Sequence, residues 1–296
     1  MVAPLVPATI GEEAILSESA DGSMRLCMHQ NTSRGAGFRG SLEGWSRAGI
    51  RNVELNDRML DAFLESDTLG GAHSLLADLG MTAVCGAAIV RDLWIPGDGR
   101  VDSLEGWRRR CDQFANLGLE RIYSPSLTRR AVTADDYAAT PECIQEAGEI
   151  AREHGLVAMS EFTRSSTHLS TLTTALAMIR AAAHPNVRPM LDFFHFWSGT
   201  SKFEDLDLLR PGELGHVHFQ DLLDTPRELI DNDSRLIPGD GIAPVVRILQ
   251  KLAEKDYTGA LSVELFRAEY VEGDPFEVAS EIRAKCETVM SAAGVL

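Results

Sequence analysis

Leu156-Val-Ala-Met-Ser-Glu161, a segment of helical period over 170–183, and Arg188-Pro-Met-Leu-Asp192 follow one another in the chain. Two short apolar runs, each closed by a carboxylate and separated by an amphipathic stretch, read as a βαβ unit. Neither run alternates cleanly between apolar and polar residues. Strands buried on both faces of a parallel sheet have that pattern.

The same pattern recurs on both sides of this unit. Strands are expected at 24–30, 52–56, 82–90, 121–124, 156–162, 187–196, 215–221 and 259–266, and helices at 60–79, 104–117, 135–154, 170–183, 243–255 and 275–293. Ser103 and Thr133 are candidate helix caps, and Gly155 follows a helix ending Arg152-Glu-His154. About eight βα units in roughly 270 residues predict an α/β fold, a single (β/α)8 TIM barrel. An open doubly wound sheet is the competitor. It would place a glycine-rich phosphate turn after the first strand, and Gln30-Asn-Thr-Ser-Arg-Gly35 is not one, which also speaks against a nucleotide cofactor. The expected organisation is an N-terminal extension over 1–23 and a barrel domain over 24–296, with the long loop at 222–242 as a lid.

Hydrophobic residues make up 44% of the 296 and charged residues 24%, an ordinary globular balance. Lys and Arg total 28 against 44 Asp and Glu, a net charge of −16 that repels nucleic acid and anionic membrane surfaces. Neither partner is expected. Five scattered cysteines without a CxxC pair fit a reducing compartment. Residues 1–23 carry Glu12, Glu13, Glu18 and Asp21 and no basic segment, unlike a signal peptide. No apolar run reaches membrane-span length, so a cytoplasmic location is expected.

Barrel chemistry sits at the C-terminal ends of the strands, so ionisable residues closing apolar strands are the candidates. Glu161, Asp192, His218 (in Leu214-Gly-His-Val-His218) and Glu264 (in Ala260-Leu-Ser-Val-Glu264) close four consecutive predicted strands. Alternation puts Glu161 on the face of Met159 and Val157, and Glu264 on that of Ser262 and Ala260. Three carboxylates gathered in one lumen call for a cation, and two Glu, one Asp and one His form an oxygen-rich set suited to one divalent metal ion: Mn²⁺, Mg²⁺, Co²⁺ or Zn²⁺. Otherwise each residue caps a strand or pairs with a nearby base.

These segments resemble the xylose-isomerase-like barrels, a family that includes sugar epimerases, inosose isomerases and dehydratases, and related lyases. The resemblance is carried by Ser160-Glu-Phe162, Leu191-Asp-Phe-Phe-His-Phe196, His216-Val-His-Phe-Gln-Asp221, Pro238-Gly-Asp-Gly241 and Tyr257-Thr-Gly-Ala-Leu-Ser-Val-Glu-Leu-Phe266, the last being most similar to the inosose isomerase branch. It implies the same four metal ligands. It also implies substrate contacts from His195 and from Arg235 in the long loop. Glu54, in the second strand, is a further substrate-binding candidate, with an ion pair to Arg51 or Arg58 as the alternative. His29 reads similarly, His216 reads as a buried support for His218, and Trp94 and Trp197 as a sugar-facing wall or as packing. Ketohexose epimerases of the family carry a second glutamate six residues after the first ligand; here that residue is Thr167.

The implied activity is that of a metal-dependent isomerase or epimerase of a keto-sugar or keto-inositol working through a metal-stabilised enediolate. Glu161 and Glu264, on well-separated strands, would remove and return the proton. Alternatives are a lyase acting on a keto-polyol or dehydroshikimate-like acid, an apurinic endonuclease-like phosphodiesterase, and a barrel that only binds. A small polyol or keto-sugar is the expected partner, and the resemblance leaves a homo-oligomer open.

Overall fold

The computed structural model describes residues 22–296. All but the last two residues of the expected extension lie outside that range. Eight parallel strands close a barrel: β1 (Arg25–His29), β2 (Asn52–Asn56), β3 (Thr82–Ala87), β4 (Arg121–Pro125), β5 (Val157–Glu161), β6 (Val187–Asp192), β7 (His216–His218) and β10 (Ala260–Val263). β1 pairs with both β2 and β10, which completes the ring. A separate two-stranded hairpin, β8 (Asp221–Leu222) with antiparallel β9 (Arg235–Leu236), interrupts the run between β7 and β10. The α/β barrel reading is correct.

The outer layer comprises α1 (Gly37–Arg47), α2 (Asp57–Leu64), α3 (Leu69–Asp78), α4 (Arg100–Asn116), α5 (Ala134–Glu153), α6 (Leu172–Ala182), α7 (Phe193–Ser198), α8 (Val245–Ala253), α9 (Ala268–Val271) and α10 (Pro275–Ala293). Their apolar faces join the outward strand residues in one continuous core. A second, smaller cluster fills the lumen: Cys27, Cys85, Tyr123, Val157, Met159, Met190 and Ala260 are among its members. Val157 and Met159 thus share the lumen face expected for Glu161. All five cysteines are buried and free. No helix among the described residues is long and apolar enough to cross a membrane.

Several expected boundaries moved, each for a local reason. The sixth strand stops at Asp192, whose side chain accepts from the His195 N–H at 2.7 Å and starts α7 without a loop, so 193–196 is helical. The helix expected over 60–79 is two, because Thr68 caps a new one by accepting from Gly71 N–H at 3.0 Å. α4 begins at Arg100, ahead of Ser103, whose hydroxyl donates instead to the Arg91 and Gly99 carbonyls. Thr133 does cap α5, in a reciprocal pairing with Asp136. Gly155 adopts φ +72° just beyond α5, where a residue without Cβ is favoured. The seventh strand is only His216–His218, and Asp221 belongs to the hairpin.

Candidate active site

Four strand ends converge at the top of the barrel. Glu161 ends β5, Asp192 ends β6, His218 ends β7, and Glu264 lies one residue past β10. Register places Asp192 beside His218, and His218 beside Ser262 two residues before Glu264. His218 Nδ1 faces all three acids, at 3.2 Å from Asp192 Oδ2, 3.4 Å from Glu161 Oε1 and 3.5 Å from Glu264 Oε2. Atoms of Glu161, Asp192 and His218 lie close enough together to share one ion. The four residues expected to act together are therefore neighbours in space.

Arg235 completes the cluster. The β8–β9 hairpin carries it inward, so that Nη1 donates to Glu264 Oε2 at 2.6 Å and to Asp192 Oδ2 at 2.9 Å. Its guanidinium is stacked between Phe194 and Phe266, at 4.4 and 4.9 Å from the ring centroids. The hairpin is pinned at its base by buried Asp221, which accepts from the backbone N–H groups of Leu222, Gly239 and Ala243 at 2.8–3.0 Å. The 222–242 loop expected as a lid is thus partly built into the site. Further out, Arg164 Nη1 ties it down by donating to the Ile230 carbonyl at 2.7 Å.

Glu54 lies deeper than a substrate contact would. It is fully buried, and neither Arg51 nor Arg58 pairs with it; its partners are His216 Nε2 at 2.8 Å and His218 Nε2 at 3.0 Å. Glu54 holds the Nε2 side of His218, and the surrounding acids hold the ring protonated, so Nδ1 is aimed at the acid cluster and becomes a free lone pair once its proton leaves. A carboxylate that fixes the tautomer and orientation of a ligating histidine has this geometry. His216, on the same face of β7, supports Glu54 from below. His29 Nδ1 accepts from the Asn31 N–H at 2.9 Å, which leaves its Nε2 facing Glu54 at 3.4 Å and the Tyr123 hydroxyl at 3.3 Å.

Environment separates the carboxylates. Burial pushes the Glu161 carboxyl up to about 7, with His218 opposing and the neighbouring Asp192 and Glu264 charges adding to the rise. Glu264 is buried too, yet Arg235, His29 and His218 hold it below the usual range. Asp192 is held well below by Arg235, His195 and His218 against the same burial. The His195 imidazole is pushed down to about 4 by burial, so near neutral pH it is an uncharged ring, its Nε2 3.4 Å from Arg235 Nη2.

A cavity of about 370 Å³ opens onto this cluster, with Glu161, Glu264, His195 and Arg235 on its wall. Asp192, His218 and Glu54 are fully buried behind them. Asn31 and Asn56, which the sequence reading passed over, also face the cavity. Asn31 Nδ2 donates to Glu264 Oε1 at 2.8 Å, and Asn56 Nδ2 donates to Asn31 Oδ1 at 3.1 Å. Both lie at or just past strand ends, so a search of those positions for neutral amides would have found them. Trp94 is packing: it is buried, and its Nε1 donates to the Ser124 carbonyl.

The family model for the xylose isomerase-like TIM barrel matches residues 45–286. The inosose isomerase of Halalkalibacterium halodurans is 33% identical over 128 residues, covering 43% of this chain and 45% of that protein. The inosose isomerase of Bacillus subtilis is 26% identical over 173 residues, 57% and 61% of the two chains. The D-psicose 3-epimerase of Agrobacterium fabrum is 29% identical over 135 residues, 45% and 43%. The alignment thus spans about half the length of these curated relatives. Among solved structures, the IOLI protein with a binding zinc atom superposes with a TM-score of 0.84 at 21% identity, covering 90% of this chain and 98% of that one. A D-allulose 3-epimerase from Methylomonas sp. in complex with D-allulose superposes at 0.72 and 17% identity, over 92% and 99%. With its closed eight-stranded barrel and a family match running from α1 into α10, this chain belongs to the xylose isomerase-like TIM barrel family.

Proposed function

We propose that the protein is a divalent-metal-dependent isomerase or epimerase of a keto-sugar or keto-inositol. The observation that carries this reading is the placement of Glu161 and Glu264 on one cavity wall, from strands separated by β6 and β7, around an acid-rich cluster backed by His218. Relatives named inosose isomerase and D-psicose 3-epimerase support the substrate class, and a zinc-bound structural neighbour supports the metal.

The residues fit a cation. Glu161 Oε1 is buried without a hydrogen-bond partner, and the Asp192 and Glu264 oxygens beside it are satisfied by a guanidinium, itself a cation. Glu161, Asp192, His218 and Glu264 would hold the ion. When bound, it supplies Lewis-acid stabilisation of negative charge developing on adjacent substrate oxygens.

The chain's own residues account for the rest. Glu264, kept ionised beside Arg235, takes the proton from carbon next to the carbonyl and is left protonated. Glu161, on another strand and with its desolvated carboxyl pushed up to about 7, returns a proton of its own and is left ionised, and the two exchange roles in the reverse direction. Return to the neighbouring carbon gives isomerisation, and return to the opposite face gives epimerisation. Neutral His195 and the Asn31 amide are placed to hold substrate hydroxyls, and Arg235 to hold an oxygen that becomes anionic. Thr167, at the position of the ketohexose epimerases' second glutamate, spends its hydroxyl on the Arg130 carbonyl at 2.6 Å. This favours the keto-inositol branch.

The test is proton NMR in D₂O of metal-loaded protein with keto-inositols and ketohexoses. Deuterium should enter beside the carbonyl and cease on chelation. Glu161→Gln and Glu264→Gln should each slow exchange by about 10²–10⁴-fold while the folded circular dichroism spectrum is kept. Full exchange in both variants would overturn the assignment of these two bases.

A further inference from the structure

In a chain of net charge −16, the wall of the reaction cavity carries four arginines, Arg34, Arg58, Arg129 and Arg235, against two carboxylates, Glu161 and Glu264. Arg235 is matched to Asp192 and Glu264. Arg34 and Arg58 are both exposed at the cavity mouth, and no carboxylate among the described residues pairs with either. The neighbouring Arg39 shows the contrast, since it has Glu43 at 3.6 Å and Asp67 at 3.5 Å.

Arg34 and Arg58 also line a second cavity of about 480 Å³, which shares them and Met59 with the first. The two arginines therefore stand at the junction of the two spaces, one from the 3₁₀ segment after β1 and the other from the first turn of α2. Beyond them the wall is largely apolar, with Phe38, Ala62 and Phe63, and its one carboxylate, Asp67, is paired to Arg39. A neutral keto-polyol held at Glu161 and Glu264 gives two unpaired guanidinium groups at the mouth no partner. An anionic oxygen group at the far end of the substrate gives both a charged, hydrogen-bonding partner.

We propose that the substrate is a keto-polyol bearing a phosphate or carboxylate group, which Arg34 and Arg58 bind at the junction of the two cavities. The inference rests on the proposed reading of the site, and the patch would also steer such an anion past an otherwise repulsive surface.

The experiment uses metal-loaded protein and three matched probes, fructose, fructose 6-phosphate and a ketohexuronate, with a neutral keto-inositol as a fourth probe for exchange. Calorimetric Kd and deuterium-exchange kcat/KM are both measured, for the wild type, for Arg34→Gln/Arg58→Gln and for Arg34→Lys/Arg58→Lys. The wild type should bind at least one anionic probe about 100-fold more tightly than fructose, with the phosphate and carboxylate arms separating the two chemistries. That ratio should collapse towards unity in the Gln pair and partly return in the Lys pair. A wild-type ratio near unity for both anions, or a ratio that survives in the Gln pair, overturns the proposal. Anion preference in binding without exchange from any probe would leave the anion site standing and count against the enediolate chemistry. Exchange without anion preference does the reverse.

Discussion

Glu54 illustrates what a single residue's type conceals. Its strand position is legible in the sequence, but its role depends on the pairing of His29 with Glu54 and on which ring nitrogen of His218 looks down the barrel. Neither follows from a linear chain. The four strand-end candidates were legible because each interrupts an apolar run, whereas Arg235 was accessible only through resemblance, since loop residues carry no periodicity. Glu54→Gln keeps the volume and removes the charge that holds the Nε2 proton of His218. Metal affinity, measured by competition with a chromogenic chelator, should fall about 10–100-fold. Unchanged affinity would make Glu54 a packing residue.

At the same scale, His168 offers a pH signature away from the ligand cluster. It is fully buried, its Nε2 is 2.8 Å from Thr140 Oγ1, and its Nδ1 has no partner. Thr140 donates its own proton to the Asp136 carbonyl, so it accepts from His168. Burial pushes the imidazole down to about 4. Below its ordinary value the unfolded chain binds a proton that the folded chain refuses, so stability declines as pH falls from about 6.5 towards 4. Urea unfolding of His168→Gln at pH 7 and 4.5 should show an acid loss smaller than that of the wild type by about 2 kcal/mol. Parallel acid losses would refute this account.

At the scale of elements, barrel strands and most helices were predictable because apolar runs and caps are local signals. The failures occur where one side chain redirects the backbone. Asp192 converts the end of a strand into a helix start and in doing so places His195, three residues on, at the cavity wall. Asp221 does the same for the hairpin: its three backbone acceptor contacts fix the loop whose far strand holds Arg235. Asp221→Ala leaves three backbone N–H groups, two of them buried, without that partner. It should cost about 2–4 kcal/mol in denaturant unfolding and lower kcat/KM by at least about 10-fold, since Arg235 loses its anchor. A variant that loses stability but keeps kcat/KM would show that the hairpin positions Arg235 without Asp221.

At the scale of the whole molecule, the closed barrel is what turns four scattered sequence positions into one charge cluster. Glu54, Glu161, Asp192 and Glu264 are buried together, and the cations nearest them are Arg235 and His218, whose imidazole the surrounding acids hold well above its ordinary value despite burial. Arg235 Nη1 contacts one oxygen each of Asp192 and Glu264, two of the four residues proposed to hold the metal ion. On that proposal guanidinium and metal ion are alternative counter-charges for these carboxylates. In metal-free protein, Arg235→Gln removes one partner of a buried ion pair, a loss of about 3–5 kcal/mol. In metal-loaded protein the same substitution should cost far less, because the acids are already neutralised. Thermal melts with and without chelator measure this directly. Metal at about 100 times its Kd stabilises the wild type by about 2.7 kcal/mol, and the rise in Tm on adding metal should be larger in Arg235→Gln than in the wild type. Equal increments would mean that the ion and the arginine do not share ligands, and the four-residue assignment would have to be redrawn around Glu54, His29 and His218, whose ligand atoms also lie close enough together to hold an ion.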